Sequence, residues 1–200
     1  MAKSANLLVD GYGGPGRVGL LLPLHWQSLS LLLAGVATGA TVVVAAEPAD
    51  LDGCEVAFVA APSAAAALRA GVDDVLALSG SPLGAPLRDL PEGAADYARE
   101  VPGYADHWGG PVPTRLDVVA GGAVLPPLPE LALGTDDRVL AAVPLADPAS
   151  LAALLAVLRC GAALVLAPAP DRLDLARIVA QEGVTWTLGA HVDGVPHLPD

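Results

Sequence analysis

Lysine is almost missing from this sequence: its 200 residues include one, Lys3, at the very start, against nine arginines. Chemistry that grips a nucleoside triphosphate with a lysine ammonium therefore has no internal residue to use. Positive charge is short in general, with a formal net charge of −12 at pH 7. Phosphate backbones and anionic headgroups are bound mainly through Lys and Arg, so neither a nucleic acid partner nor an anionic membrane surface is expected. Cysteine is scarce too. Cys54 and Cys160 form no C-x-x-C pair, which excludes a zinc knot and a disulfide framework and fits a reducing cytoplasm.

Uninterrupted hydrophobic runs are also lacking, despite a mean hydropathy of +0.55. Pro23, His25 and Gln27 break the stretch from Leu20 to Ala46, and Pro144, Asp147 and Arg159 break that from Val139 to Ala167, so neither predicts a membrane span. The opening Met-Ala-Lys-Ser-Ala-Asn lacks the charged-then-apolar profile of a signal peptide. Aromatic residues make up only 4%. The Ala, Leu, Val, Gly, Pro and Arg bias is that of a high-GC bacterial genome.

What is present suits a folded domain. With 54% apolar and 16% charged residues, the chain can bury a sizeable core as a single unit spanning 1–200. Its most informative feature is an internal resemblance. Arg17-Val18 leads an apolar strand to Pro23, and Arg138-Val139 leads another to Pro144, the proline six residues after the arginine in each copy. A helical face follows at Leu29, Leu32, Leu33 and Val36, and again at Leu151, Leu154, Leu155 and Leu158. Gly39 and Gly161 stop the helices, and the apolar runs Thr41–Val44 and Ala163–Leu166 read as strands covered on both faces.

Two such βαβ units predict an α/β fold of three αβα layers with mainly parallel sheet, as one doubly wound sheet or as two related subdomains. The halves are 1–101 and 136–190, and the Pro/Gly-rich interval 102–135 reads as an irregular linker with one short strand at Leu116–Val119. A helix is expected over Ala2–Asp10. Further elements are strands at Glu55–Ala60 and Asp74–Leu78, a helix at Ser63–Gly71, a helix capped by Asp171 with Leu175, Ile178 and Val179 inward, and a strand at Val184–Leu188.

Gly16-Arg17-Val18 with Leu20-Leu21-Leu22-Pro23, followed by Gly39-Ala40, resembles the stretch that opens adenylate-forming enzymes, the AMP-dependent synthetase/ligase superfamily that includes acyl-CoA synthetases. Asp136-Asp137-Arg138-Val139 with Pro144, Gly161-Ala162 and Gln181-Glu182-Gly183-Val184-Thr185 resembles the part beyond their phosphate loop. Every matching position is a packing or turn residue, so the resemblance implies the fold of the N-terminal part of those enzymes. Between the matched regions the family carries a Ser/Thr/Gly-rich loop with a lysine. Here, from Pro82 to Gly134, the only hydroxyl residue of that kind is Thr114, and no lysine occurs. Gly109-Gly110 and Gly121-Gly122 do not replace it. The family's C-terminal domain supplies a second lysine, and this chain ends before such a domain. Where members place an aromatic and a histidine, Ala146 and Asp147 stand. The resemblance is nearest to short proteins of high-GC bacteria that keep the N-terminal half without the signature motifs. In those, sequence precedes the Ala2–Asp10 helix, so a start upstream of Met1 is expected.

Four clusters carry polar chemistry. Gly11-Tyr12-Gly13-Gly14-Pro15-Gly16 matches G-x-G-x-x-G, yet it precedes a strand, where the dinucleotide fingerprint needs strand first and helix after, so a helix stop and turn is the better reading. Ser79-Gly80-Ser81-Pro82-Leu83-Gly84 follows a strand and has Arg88 nearby, either as an anion-binding turn or as an ordinary loop. Tyr97, Arg99, Glu100, Tyr104, Asp106, His107 and Trp108 could support general acid–base work, or anchor the approach to the linker. His191, Asp193, His197 and Asp200 have metal-ligand chemistry without a known ligand spacing, and read as a polar tail. No G-x-S-x-G elbow marks a hydrolase.

No residue is therefore assigned a catalytic, cofactor-binding or metal-binding role, and no cofactor is expected. The expected protein is a non-catalytic relative of AMP-binding ligases acting as an interaction or regulatory module, with a protein partner or self-association. The alternatives are a small-molecule domain for a nucleotide, CoA or acyl-CoA, and a ligase fragment completed in trans.

Overall fold

The computed structural model describes residues 1–111 and 113–199. The chain forms two compact units, Met1–Val124 and the remainder from Leu125 onward. The first is built on a seven-stranded sheet of β1 (Arg17–Leu21), β2 (Thr41–Val44), β3 (Val56–Ala60), β4 (Asp74–Leu78), β5 (Ala94–Asp96), β6 (Val118–Ala120) and β7 (Ala123–Val124). Their order is β5-β4-β3-β1-β2-β6-β7, parallel except for the β6–β7 pair. Val18 on β1 lies opposite Val42 on one side and Val56 on the other, and all three are buried, as parallel strands require.

Helix α1 (Ala2–Asn6) continues as a π-helical turn over Leu7–Gly11, so the expected Ala2–Asp10 helix is present with a wider second half. The chain moves from β1 to β2 in one direction and from β3 to β4 in the other. Right-handed crossovers then place α2 (Trp26–Thr38) and α3 (Ala64–Arg69) on opposite faces of the sheet. Helix α2 buries Leu29, Leu31, Leu32 and Val36, leaving Leu33 half-buried, and ends on Gly39 at φ 83°. Ala64 and Ala67 of α3 pack with Leu51, Val59 and Val75. Short α4 (Tyr97–Glu100) follows β5.

The interval 102–135 is divided between the units. Its strand starts at Val118 rather than Leu116, pairs Val42 with Val118, and turns at Gly121-Gly122 into β7, and the division between the two compact units follows Val124. Both glycines have positive φ, 50° and 80°, as a two-residue hairpin turn demands.

The second unit has a three-stranded parallel sheet, β10 (Trp186–Leu188), β8 (Arg138–Ala141) and β9 (Ala163–Leu166), in the order β10-β8-β9. Helix α5 (Pro148–Arg159) buries Leu151, Leu154 and Leu155. Helix α6 (Leu175–Glu182) packs Leu175, Ile178 and Val179 toward Leu140 and Ala167, and closes on Gly183 at φ 65°. Its cap is Asp174, whose Oδ1 accepts the Arg177 N–H at 3.0 Å, and not Asp171. Pro170 opens a separate 3-10 turn over Pro170–Arg172 that takes up Asp171. No described helix is long and apolar enough to cross a membrane.

Candidate functional site

The connections from β1 and β3 leave in opposite directions, which makes the gap between these strands the topological switch point of the large sheet. Ligands of open α/β sheets sit outside the carboxyl ends at such a point. Just beyond β1 the chain begins α2 at His25, whose Nδ1 accepts the Gln27 backbone N–H at 3.3 Å. Ser28 Oγ donates to the Pro23 carbonyl at 2.7 Å. An accepting Nδ1 assigns the ring proton to Nε2. Burial lowers the pKa of His25, consistent with a neutral ring. Nε2 of His25 and Oε1 of Gln27 are both buried with no hydrogen-bond partner among the described residues. Both side chains border one small notch, with Leu22, Ala60 and Gly80 beside them.

Gln27 also walls a larger cleft of about 440 Å³, bounded by α1, the start of α2, the 83–84 loop and α4. The Trp26 ring is 52% exposed at its mouth, yet its indole N–H is fixed on the Pro82 carbonyl at 2.9 Å. Gly84, at φ 64°, lies against the Gln27 carboxamide: a Cβ there would stand 2.6 Å from Nε2. On the far wall Ser4 Oγ and the Tyr97 hydroxyl are 2.9 Å apart and buried. Tyr97 meets Phe58 edge-on at 5.6 Å. Burial raises the Tyr97 pKa, partly opposed by the Ser4 hydrogen bond. The chain's one lysine ammonium, on Lys3, donates to the carbonyls of Tyr104 at 2.6 Å and Pro102 at 3.2 Å. Among the described residues neither a histidine nor a cysteine borders this cleft, and beside Lys3, Ser30, Asp106 and Met1 its polar groups are the Gln27 amide, the Ser4–Tyr97 hydroxyl pair and the Trp26 indole, which suits binding.

The clusters expected from sequence are dispersed. Gly11–Gly16 joins the π-helical turn to β1, helix before strand, which is the reverse of a dinucleotide loop. The Ser79–Gly84 loop follows β4, but the next α-helix starts only at Tyr97, and Arg88 is exposed. The Tyr97–Trp108 cluster ties its segment to the N-terminal helix. Tyr12 donates to Glu100 at 2.7 Å, and Asn6 donates to the carbonyls of Ala105 and His107 at 2.8 and 2.9 Å. Burial and the Glu100 hydrogen bond raise the Tyr12 pKa. Arg99 pairs with Asp96 at 3.1 Å.

In the second unit His191 and His197 face each other with ring centroids 4.0 Å apart, and Thr187 Oγ1 lies 3.0 Å from His197 Nδ1. Asp193 is exposed, Asp200 lies outside the described residues, and no group of three or more potential ligands forms a metal site among the described residues. Asp147 caps α5, accepting the Ser150 N–H at 2.8 Å, and this bond holds its carboxyl below its ordinary pKa.

Sequence reasoning missed Trp26, Gln27 and Ser4 as parts of one cleft. Gln27 carried a faint signal, because it lies four residues before Leu31 on the buried side of α2, where a carboxamide is out of place. Nothing local marks Lys3 as spent on carbonyls about a hundred residues away.

No family model matches the chain. A TIGR03089 family protein of Mycobacterium tuberculosis is 36% identical over 202 residues, covering 94% of this chain and 81% of that protein. Among solved structures, a Brucella canis acyl-CoA synthetase superposes with a TM-score of 0.72 at 17% identity, over 94% of this chain and 40% of its own. The N-terminal domain of FACL13 from Mycobacterium tuberculosis gives 0.67 at 18% identity, over 94% and 53%. The anthranilate CoA ligase AuaEII, solved with anthranoyl-AMP, gives 0.69 at 16% identity, over 94% and 42%. The chain thus spans about two fifths to one half of these solved chains, and at such identities the likeness concerns the fold. The chain belongs to the TIGR03089 family and carries the α/β fold of the N-terminal part of adenylate-forming acyl-CoA synthetases and ligases.

Proposed function

We propose that this chain is a non-catalytic relative of the adenylate-forming ligases that acts as an interaction or regulatory module in the cytoplasm. One observation carries the reading: the only lysine is committed to the carbonyls of Pro102 and Tyr104, and the interval Pro82–Gly134 brings neither a lysine nor any Ser/Thr hydroxyl besides Thr114. A triphosphate developing charge in transfer needs such cations close by. The test is pyrophosphate release from ATP with a panel of carboxylic acids. None is expected, and release above the protein-free rate overturns the proposal.

Contact with a partner or a second copy is supported by Leu83 and Val124, which are 91% and 77% exposed. Light scattering should show concentration-dependent association, and a clean monomer throughout counts against it. A second reading, a small-molecule domain for a nucleotide, CoA or acyl-CoA, is supported by the open parallel sheet, whose switch point between β1 and β3 is where ligands of such sheets usually sit. Thermal shift against those ligands checks it, and no stabilisation by any of them rejects it. Completion in trans by a ligase fragment would require a co-purifying partner that supplies the lysines.

A further inference from the structure

The 440 Å³ cleft has the size of a small-molecule site and a composition that narrows its ligand. Anions suit it poorly. Among the described residues no arginine borders it, the Lys3 ammonium is occupied by two carbonyls, the Met1 amino group is offset by the Asp106 carboxylate in the same lining, and the whole chain carries a charge of −12.

Its distinctive polar group is the Gln27 carboxamide. Gln27 is only 5% exposed, and its Oε1 is cut off from solvent without a donor among the described residues. Buried amides are almost always hydrogen-bonded, so an orphan acceptor on a residue that borders the cleft is an unusual feature that a donor from outside would relieve. A carboxamide offers a donor and an acceptor side by side, the complement of another amide edge. Beside it the Trp26 ring is half-exposed and held in place by Pro82, which provides a fixed aromatic face for a planar body. The covering loop is lightly tied at this point, by the Trp26 bond to Pro82 and the Gly84 N–H to Ser81 carbonyl bond at 2.8 Å. Gly84 lies against the amide, so a ligand in the cleft reaches it only when Gly84 moves aside.

We propose that the cleft binds an uncharged planar amide, which stacks on Trp26 and pairs its N–H and C=O with the Gln27 carboxamide. This binding calls on no adenylate chemistry, and its test does not depend on whether the chain is catalytic.

The experiment is titration of the full chain with benzamide and, in parallel, with benzoate, its near-isosteric anion, followed by ligand-observed NMR and by calorimetry. Benzamide should bind at least tenfold more tightly than benzoate. Gln27→Leu, which replaces the orphan amide by an apolar side chain of similar size, should fold and lose benzamide binding by tenfold or more. Should Gln27→Leu not fold, Trp26→Ala, a change at an exposed ring, is the second variant and should weaken binding similarly. Equal binding of benzamide and benzoate, unchanged binding in the folded variants, or no benzamide binding at millimolar concentration overturns the proposal.

Discussion

His25 and Asp147 hold the same position in the two βαβ units. Each precedes the first helix after the first strand and caps it with its side chain, His25 Nδ1 on the Gln27 N–H at 3.3 Å and Asp147 Oδ2 on the Ser150 N–H at 2.8 Å. The duplication therefore extends to the helix start, with an imidazole in one copy and a carboxylate in the other. The two caps fail in different pH ranges.

For His25, burial places the folded pKa below its usual 6.5. The unfolded chain takes up the proton first as pH falls, so the contribution is intact above the unfolded pKa and is lost from there down toward the folded pKa. His25→Asn keeps a capping side chain and removes the titration. Melting temperature measured from mildly alkaline to mildly acidic pH should fall more steeply in the parent than in this variant. Parallel curves would show that the imidazole does not cap α2 in solution.

For Asp147, the folded pKa lies below 3.8 because the carboxylate accepts backbone N–H bonds. Its contribution is present above the unfolded pKa and lost as pH falls through the folded one. Asp147→Ala should cost about 1 kcal/mol near neutral pH, the usual loss of an N-cap. In urea titrations the difference from the parent should shrink at strongly acid pH. A cost that is independent of pH would assign it to packing.

Gly84 and Gly80 separate strain from contact. Both have positive φ, 64° and 67°, but a Cβ at Gly80 meets nothing within 4 Å, whereas one at Gly84 meets the Gln27 amide. Gly80→Ala should cost about 1 kcal/mol from the left-handed backbone alone. Gly84→Ala should cost roughly twice that, because the carboxamide must also move. Equal costs in urea titration would mean the loop yields freely at Gly84.

The Ser4–Tyr97 pair joins residues 93 positions apart through buried hydroxyls. Tyr97→Phe or Ser4→Ala alone leaves one buried hydroxyl unpaired, at about 1–2 kcal/mol. The double variant should cost less than the sum, with a coupling of about 1 kcal/mol. Strict additivity would show that the two hydroxyls do not bond.

Strands β1, β2, β4 and β9 were legible because each is a run of apolar residues bounded by Arg, Gly or Asp. Gly39 and Gly183 were legible as helix ends because a left-handed residue there favours glycine. Asp171 misled because Asp174 stands three residues on with equal capping chemistry, and the choice rests on the turn that Pro170 starts. The 102–135 interval reads as linker because Pro and Gly dominate it. The short run Val118–Ala120 becomes a sheet strand only because β2 offers an edge to pair with.

By itself, the order of residues determined the alternation of strand and helix, the repeated unit and the want of any lysine beyond Lys3, since these follow from local periodicity and composition. Tertiary structure decided that β1 lies at the switch point, that Lys3 spends its charge on Pro102 and Tyr104, and that Gln27 is walled in by Gly84. Those facts join residues dozens of positions apart, and the partner of a buried polar group depends on which backbone is brought against it rather than on its neighbours in the chain.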